Sequence, residues 1–304
     1  MQDLSAAGLE FEVKDQVAWL TMNRPQLRNA VDHPLRNAII AAIEEVRDNP
    51  DIRAAVVTGA GTAFCSGADL SEPDHIEITP DRRRGARQNI AREDGRRFGW
   101  WRIIRDLREN EKPFVAAVNG AAYGFGCNFA LACDIVVAAE SARFSEVFIK
   151  RGLPVEASGA YLLARSVSPV RAKEIALLGE PVTGRQAQDW GLANRCVPDD
   201  QLLEAAGDYA GRLASLPTVG VGHIKGQIND AYDATFDQVW KTEVTLLGLG
   251  IGDDGEEAMT AFKERREPQF RGRLPAALLP PQAAAGHGPA AAFYVLDTFG
   301  RPLL

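Results

Sequence analysis

Two glycine-rich turns, each directly behind an apolar run, carry the residue types and spacing to stabilise a developing negative charge. The first is Phe64-Cys65-Ser66-Gly67-Ala68-Asp69-Leu70, behind Ala54-Ala55-Val56-Val57-Thr58. The second is Asn119-Gly120-Ala121-Ala122-Tyr123-Gly124-Phe125-Gly126-Cys127-Asn128, behind Phe114-Val115-Ala116-Ala117-Val118. A strand, a glycine turn and a helix start leave backbone N–H groups pointing outward. Two such turns side by side make the halves of an oxyanion hole. Asn128 closes the second turn where a proton-transfer group would be expected, and an amide exchanges no proton near neutral pH.

The elements that must position these turns read as α/β. Leu9 to Lys14 and Val17 to Met22 flank Lys14-Asp15-Gln16 as an opening hairpin. Val31, Leu35, Ala38, Ile39, Ala42, Ile43 and Val46 recur at helical spacing, with Asp32 as N-cap and Pro34 in the first turn. Ala54 to Thr58, Phe114 to Val118 and Ile135 to Ala138 read as buried strands between helices. Arg82 to Arg108 reads as a mixed-charge helix with Phe98, Trp101, Ile104 and Leu107 on one face. Beyond Pro198 the chain turns helical: Leu202, Leu203, Ala206, Tyr209 and Leu213 share helical offsets, then Ile224 to Trp240, then Glu256 to Arg266. The composition shifts to Ala, Pro and Gly near residue 274, which predicts a linker and a short apolar terminal segment. The expected organisation is a core over 1–198, a helical region over 199–272 and a tail over 273–304.

Bulk properties narrow the function. The 304 residues are 46% hydrophobic and 25% charged, ordinary for a soluble globular chain. A formal net charge of -7 argues against a nucleic-acid grip, and the arginines of 82–108 interleave with acids as on a solvated helix face. Cys65, Cys127, Cys133 and Cys196 lack metal-like pairing and read as reduced, mostly buried thiols. No metal-ligand cluster is apparent. The residues after Met1 show no basic and apolar leader pattern, and no apolar run approaches the roughly 20 residues of a membrane span. The expectation is a cytoplasmic protein without membrane or nucleic-acid partners. Gly59-Ala60-Gly61-Thr62-Ala63-Phe64 fails the dinucleotide fingerprint at its last glycine.

The ordered series Asn23-Arg24-Pro25, Asn29-Ala30, Val56-Val57-Thr58-Gly59 through Ala68-Asp69-Leu70, and Lys112-Pro113 through Cys133-Asp134-Ile135 closely resembles the crotonase superfamily, also called the enoyl-CoA hydratase/isomerase superfamily. Ala142-Arg143-Phe144, Gly191-Leu192-Ala193 and Ala261-Phe262 to Arg265 extend the resemblance over about residues 9 to 272. It implies a crotonase-like ββα superhelix with a C-terminal helical layer, a homotrimer or dimer of trimers, and an acyl-CoA thioester as substrate with no permanently bound cofactor. By motif the thioester oxygen falls to the N–H groups of Ala68 and Phe125; such donors are each worth about 2.7–4 kcal/mol in known oxyanion holes. Phe125 stands where the family usually has glycine, so its side chain is expected to occupy space and reshape the acyl pocket. Ser66, Asp69 and Leu70, which border the first donor, are expected with it to bind the acyl-CoA substrate.

The resemblance also implies two glutamates in hydratases, and the matching positions hold Asn128 and Phe148. Neither moves a proton. Asn128 can position a water or a polar group, Phe148 can shape the pocket, and two-glutamate hydration is not expected. In members resembling enoyl-CoA isomerases one carboxylate follows a Gly-Leu pair, as Glu156 follows Gly152-Leu153. One carboxylate can take a proton from one carbon and return it to another when an apolar pocket raises its pKa. The plainer alternative is that Glu156 caps a helix near Ala157 or sits in an ion pair. Glu146, two residues before Phe148, lies off the glutamate register and reads as structural. His75 is an acyl-pocket candidate; His33, His223 and His287 lack a supporting pattern. For CoA the resemblance points to Arg28, Lys225, Phe262 and Arg265. Hydrolysis, decarboxylation or ring cleavage of an acyl-CoA, and a non-catalytic acyl-CoA-binding subunit, stay open beside an isomerase.

Overall fold

The computed structural model describes residues 4–71, 99–249 and 253–272. Strands β1 (Leu9–Lys14) and β2 (Val17–Met22) form the expected hairpin, with Leu9 opposite Met22 and Lys14 opposite Val17. Asp15 and Gln16 both take positive φ in the two-residue connection, which matches the twist of paired strands. From β2 one sheet continues in parallel through β3 (Ala54–Gly59), β5 (Phe114–Val118), β7 (Ile135–Ala139) and β10 (Arg195–Val197). Every residue of β3 and β5 is buried, as expected of a parallel sheet covered on both faces.

A second sheet is built from short strands in the order β4 (Ala63–Cys65), β6 (Ala121–Tyr123), β8 (Arg143–Ser145) and β9 (Val182–Thr183). Each long strand β3, β5 and β7 is followed a few residues later by one of these short ones, so the chain steps between the sheets before entering a helix. That repeat is the ββα superhelix. Both glycine turns fall where a short strand ends.

Helix α1 (His33–Asp48) starts as predicted: the Asp32 carboxylate accepts from Leu35 N at 2.9 Å, and Leu35, Ala38, Ile39, Ala42, Ile43 and Val46 are buried. Helix α2 (Gly99–Glu109) packs on it through Ile103, Ile104 and Leu107. After α3 (Phe125–Ala132), α4 (Gly159–Ser166), α5 (Pro169–Leu178) and α6 (Gly184–Trp190) comes the C-terminal layer: α7 (Leu202–Ser215), α8 (Thr218–Ala231), α9 (Phe236–Leu249) and α10 (Asp253–Glu264).

Two expectations for this layer are corrected. The buried stripe of α7 is Leu202, Ala205, Ala206, Ala210 and Ala214, while Leu203 is exposed; small side chains let the helix approach β3, β5 and β7 closely. The single helix expected over Ile224 to Trp240 is two, broken between Ala231 and Phe236. Thr235 and Gln238 form a reciprocal cap there, Gln238 Oε1 accepting from Thr235 N at 2.8 Å, a signal legible as Thr-x-x-Gln.

Arg53, 6% exposed just before β3, ties the layer to the core. Its guanidinium donates to Thr218 Oγ1 at 2.9 Å, Leu216 O at 2.6 Å and Phe270 O at 2.9 Å. All four cysteines are buried and unpaired, as read from their apolar settings. No helix among the described residues is long and apolar enough to cross a membrane. Most of the expected 82–108 helix and the 273–304 tail lie outside the described residues.

Candidate active site

The first turn is stitched by side chains from the segment after β2. Asn29, fully buried, receives Arg24 N on its Oδ1 at 2.9 Å and donates from Nδ2 to Ala60 O at 3.0 Å and Ala63 O at 2.7 Å. Arg24 donates to Ala30 O at 2.6 Å and pairs with Asp32 at 3.0 Å and Asp69 at 3.2 Å. Asp69 also accepts from Ser71 Oγ at 2.6 Å and Ser71 N at 3.1 Å; these hydrogen bonds, then Arg24, hold its carboxyl below the usual range. Asp69 therefore shapes the turn from within.

These bonds leave Ala68 free on one side. Val31 N donates to Gly67 O and Asp69 N to Val31 O, both at 2.9 Å, a parallel bridge that uses the groups on either side of Ala68. In a parallel pair the intervening N–H points away from the partner strand, and Ala68 N has no partner among the described residues. Arg28 is exposed with its carbonyl on Ser66 N at 3.0 Å; Ser66 is partly buried and Leu70 exposed.

The second turn meets the first. A Cβ built on Gly67 would lie 3.0 Å from Tyr123 O and 3.9 Å from Phe125 N. Phe125 opens α3, its N-cap Gly124 offers no side chain, and Phe125 N has no partner among the described residues. The two N–H groups named from the motif are thus adjacent and unpaired. Gly126 sits so tightly against the first turn that a Cβ there would come 2.1 Å from Cys65 O. Asn119, unassigned by sequence reasoning, donates to Gly59 O at 2.8 Å and Gly61 O at 2.9 Å and so fixes the loop before β4.

The ring of Phe125 departs from expectation. It is 4% exposed and packs edge-on against Trp100, centroids 4.9 Å apart, and stacked on Phe129 at 5.7 Å. The side chain is taken into the core. Phe148, in the short 3-10 helix Val147–Arg151, is the aromatic beside the turn, 3.5 Å from a Cβ built on Gly124.

Asn128 is wholly buried, and its Nδ2 donates to Glu156 O at 2.9 Å. That bond ties helix α3 to the segment before α4. Glu156 is half-buried, and burial raises its carboxyl above the ordinary value. Helix α4 begins at Gly159 behind Ser158, with no side-chain cap, and the Glu156 carboxylate has no ion pair or hydrogen bond among the described residues. It is neither the cap nor the ion-pair member of the plainer alternative.

The expected CoA contacts are dispersed. Lys225 donates to Leu107 O at 2.7 Å and Lys112 O at 3.3 Å and pairs with Asp134 at 2.8 Å. Its three protons therefore bind helix α8 to the core, which leaves none for a phosphate. Phe262 is 79% exposed near the end of α10, and Arg265, also exposed, follows at positive φ. His75 lies outside the described residues. Among the described residues no group of His, Cys, Asp and Glu is placed to hold a metal ion.

This pair of turns on a ββα superhelix has known counterparts. The model of the enoyl-CoA hydratase/isomerase family matches residues 12–273. The chain belongs to that family. This enoyl-CoA hydratase/isomerase relative is 35% identical over 262 residues to the 1,2-epoxyphenylacetyl-CoA isomerase of Escherichia coli, covering 86% of this chain and 97% of that protein. It is 34% identical over 261 residues to the 2,3-dehydroadipyl-CoA hydratase of the same organism, with the same coverages. Among solved structures, an enoyl-CoA hydratase from a Polaromonas species superposes with a TM-score of 0.75 at 32% identity, covering 86% of this chain and 99% of that one. Family membership makes this an acyl-CoA enzyme of the hydratase/isomerase type. An isomerase and a hydratase stand almost equally near, so the reaction has to be argued from the site.

Proposed function

We propose that the protein isomerises an acyl-CoA thioester, most simply by shifting the double bond of an enoyl-CoA, with Glu156 as the single proton carrier. The N–H groups of Ala68 and Phe125 hold the thioester oxygen and stabilise the enolate that forms when a proton leaves carbon. Glu156 takes that proton and returns it at another position. Because the dipoles are fixed before the reaction, they need no reorganisation as charge develops.

One observation carries this reading: Glu156 is the carboxyl left over when the raised ones are sorted. Among the described residues four carboxyls are held above their ordinary value: Asp106, Asp134, Glu146 and Glu156. Asp106 pairs with Arg102 and Asp134 with Lys225, while Glu146 is wholly buried. Glu156 remains partly accessible, unpaired and one hydrogen bond from the helix that carries Phe125. Similarity to a protein named as an isomerase supports it further. Asn128 is bonded to Glu156 O, which counts against its positioning a water for hydrolysis.

Arg28 is the chain's own exposed cation near the first turn for the CoA phosphates. The exposed apolar side chains Phe236, Trp240 and Leu247 on α9 and Phe262 on α10 support assembly with further copies as a trimer or pair of trimers, in which Phe262 and Arg265 act on a neighbour's CoA.

The test is isotope exchange of enoyl-CoA positional isomers in heavy water. The wild type is expected to incorporate deuterium and interconvert isomers without change of carbon skeleton, and Glu156→Gln to lose about 10²–10⁴ in kcat, the usual weight of a general base. Equal exchange by both proteins removes Glu156 from the mechanism, and a product heavier by one water returns the enzyme to the hydratases.

A further inference from the structure

Behind Asn128 lies a cluster of buried polar atoms that the proposed proton shuttle does not use. Glu146 is 0% exposed, and neither of its carboxyl oxygens has an aligned hydrogen bond among the described residues; the same is true of Asn128 Oδ1. The Glu146 carboxyl lies against the Cys127 thiol and the Asn128 amide. Three buried acceptors without donors would be costly, but two protons satisfy them all. Protonated, Glu146 can donate to Asn128 Oδ1, and the Cys127 S–H can donate to the other Glu146 oxygen.

Burial pushes the Glu146 carboxyl up to about 7 and the Cys127 thiol well above its ordinary value, so in weakly acidic solution both protons are in place. The rest of the Asn128 amide is fixed on its far side. Its Nδ2 is 2.9 Å from Glu156 O, and a Cβ on Gly159 would come 2.4 Å from both Nδ2 and Oδ1, so glycine alone admits the amide there. The segment it grips needs holding: Ala157 and Ser158, directly after Glu156, both have positive φ, at 47° and 59°.

We infer that Glu146 is a positioning residue: as a neutral acid it donates to Asn128 Oδ1, which orients the amide so that Nδ2 holds Glu156 O and sets the segment from which the Glu156 carboxylate works. This rests on the reading of Glu156 as the proton carrier. A donor at Glu146 selects one of the two amide orientations. An apolar side chain selects neither, and the reversed amide would turn its oxygen toward the Glu156 carbonyl.

Two variants of the full chain test this, assayed by the same isotope exchange well below their melting temperatures. Glu146→Gln keeps a donor and is expected within about threefold of wild-type kcat, whereas Glu146→Met keeps the volume but not the donor and is expected to lose about tenfold in kcat with KM little changed, as for loss of a transition-state interaction. Wild-type kcat in folded Glu146→Met overturns the inference. So does a Glu146→Gln as impaired as Glu146→Met, since that would make the acid itself indispensable. If Glu146→Met does not fold, the infrared difference between wild type and Glu146→Gln at pH 6 must contain a protonated carboxylic acid band, and its absence overturns the inference equally. Full exchange by Glu156→Gln removes the proton carrier and this inference with it; loss by Glu156→Gln alongside an unimpaired Glu146→Met overturns the inference alone.

Discussion

The turn at Ala68 is held by charge and directed hydrogen bonds, the turn at Phe125 by packed volume. Arg24 and Asn29 reach the first with donors and acceptors from the segment after β2, and Asp69 answers Arg24 from within the turn. The second has an uncharged, wholly buried helix behind it, with Phe125 against Trp100 and Phe129, Phe129 against Phe64, and Gly126 on Cys65 O. Each leaves one backbone N–H unpaired among the described residues. The polar turn tolerates changes in side-chain volume better than loss of a partner, while the packed turn has no ionic partner to lose and little room to change size.

The comparison breaks most visibly at Gly126. Gly126→Ala forces a methyl group onto a backbone carbonyl, and the two turns must separate. The expected result is either no folded protein or a kcat reduced by at least about 10²-fold, the weight of one oxyanion donor, seen by circular dichroism and exchange kinetics. Next comes Phe129→Ala, which removes a wholly buried ring from the packed side. It should cost about 3–5 kcal/mol in denaturant unfolding and lower kcat with it, because the same packing seats Phe125. A stability loss with kcat intact would show that the helix start does not depend on that packing.

The polar side gives the smallest effect. Asp69→Asn keeps an acceptor but loses the charge facing Arg24, at an expected cost of about 1 kcal/mol. Since the folded carboxyl sits below its ordinary value, the stabilisation is present above that value, where the unfolded chain is already ionised, and disappears as pH falls through the lower folded value. Wild type and Asp69→Asn should therefore differ in melting temperature near neutrality and converge in acid. An equal gap at every pH would assign the turn's rigidity to its neutral bonds.

The order of strands and helices was legible because each central strand is a short, wholly apolar run between Gly, Asn or Asp, and because Asp32 and Pro34 mark the start of α1. The two glycine turns were legible from spacing; Ala68 and Phe125 within them were named only through the family motif they match. Where their rings and cations go was not: Phe125 reads as a pocket residue until Trp100 and Phe129 are placed around it, and Lys225 reads as a phosphate contact until the carbonyls of Leu107 and Lys112 are folded beneath it. Glu146 shows the limit most clearly. A glutamate directly before a 3-10 helix carries no mark of complete burial, which arises only in the folded chain.

Arg53 bears on how the chain reaches this state. Its bonds to Leu216 O and Phe270 O span 163 and 217 positions, so on the ribosome the guanidinium beside β3 emerges long before the carbonyls that receive it. Until residues near 270 leave the exit tunnel, the first sheet has to keep that edge open to water or bury a cation without acceptors. Final closure of the core is thus delayed to the end of synthesis, and a chain stopped short of Phe270 should linger as a partly open species that proteases and chaperones can reach.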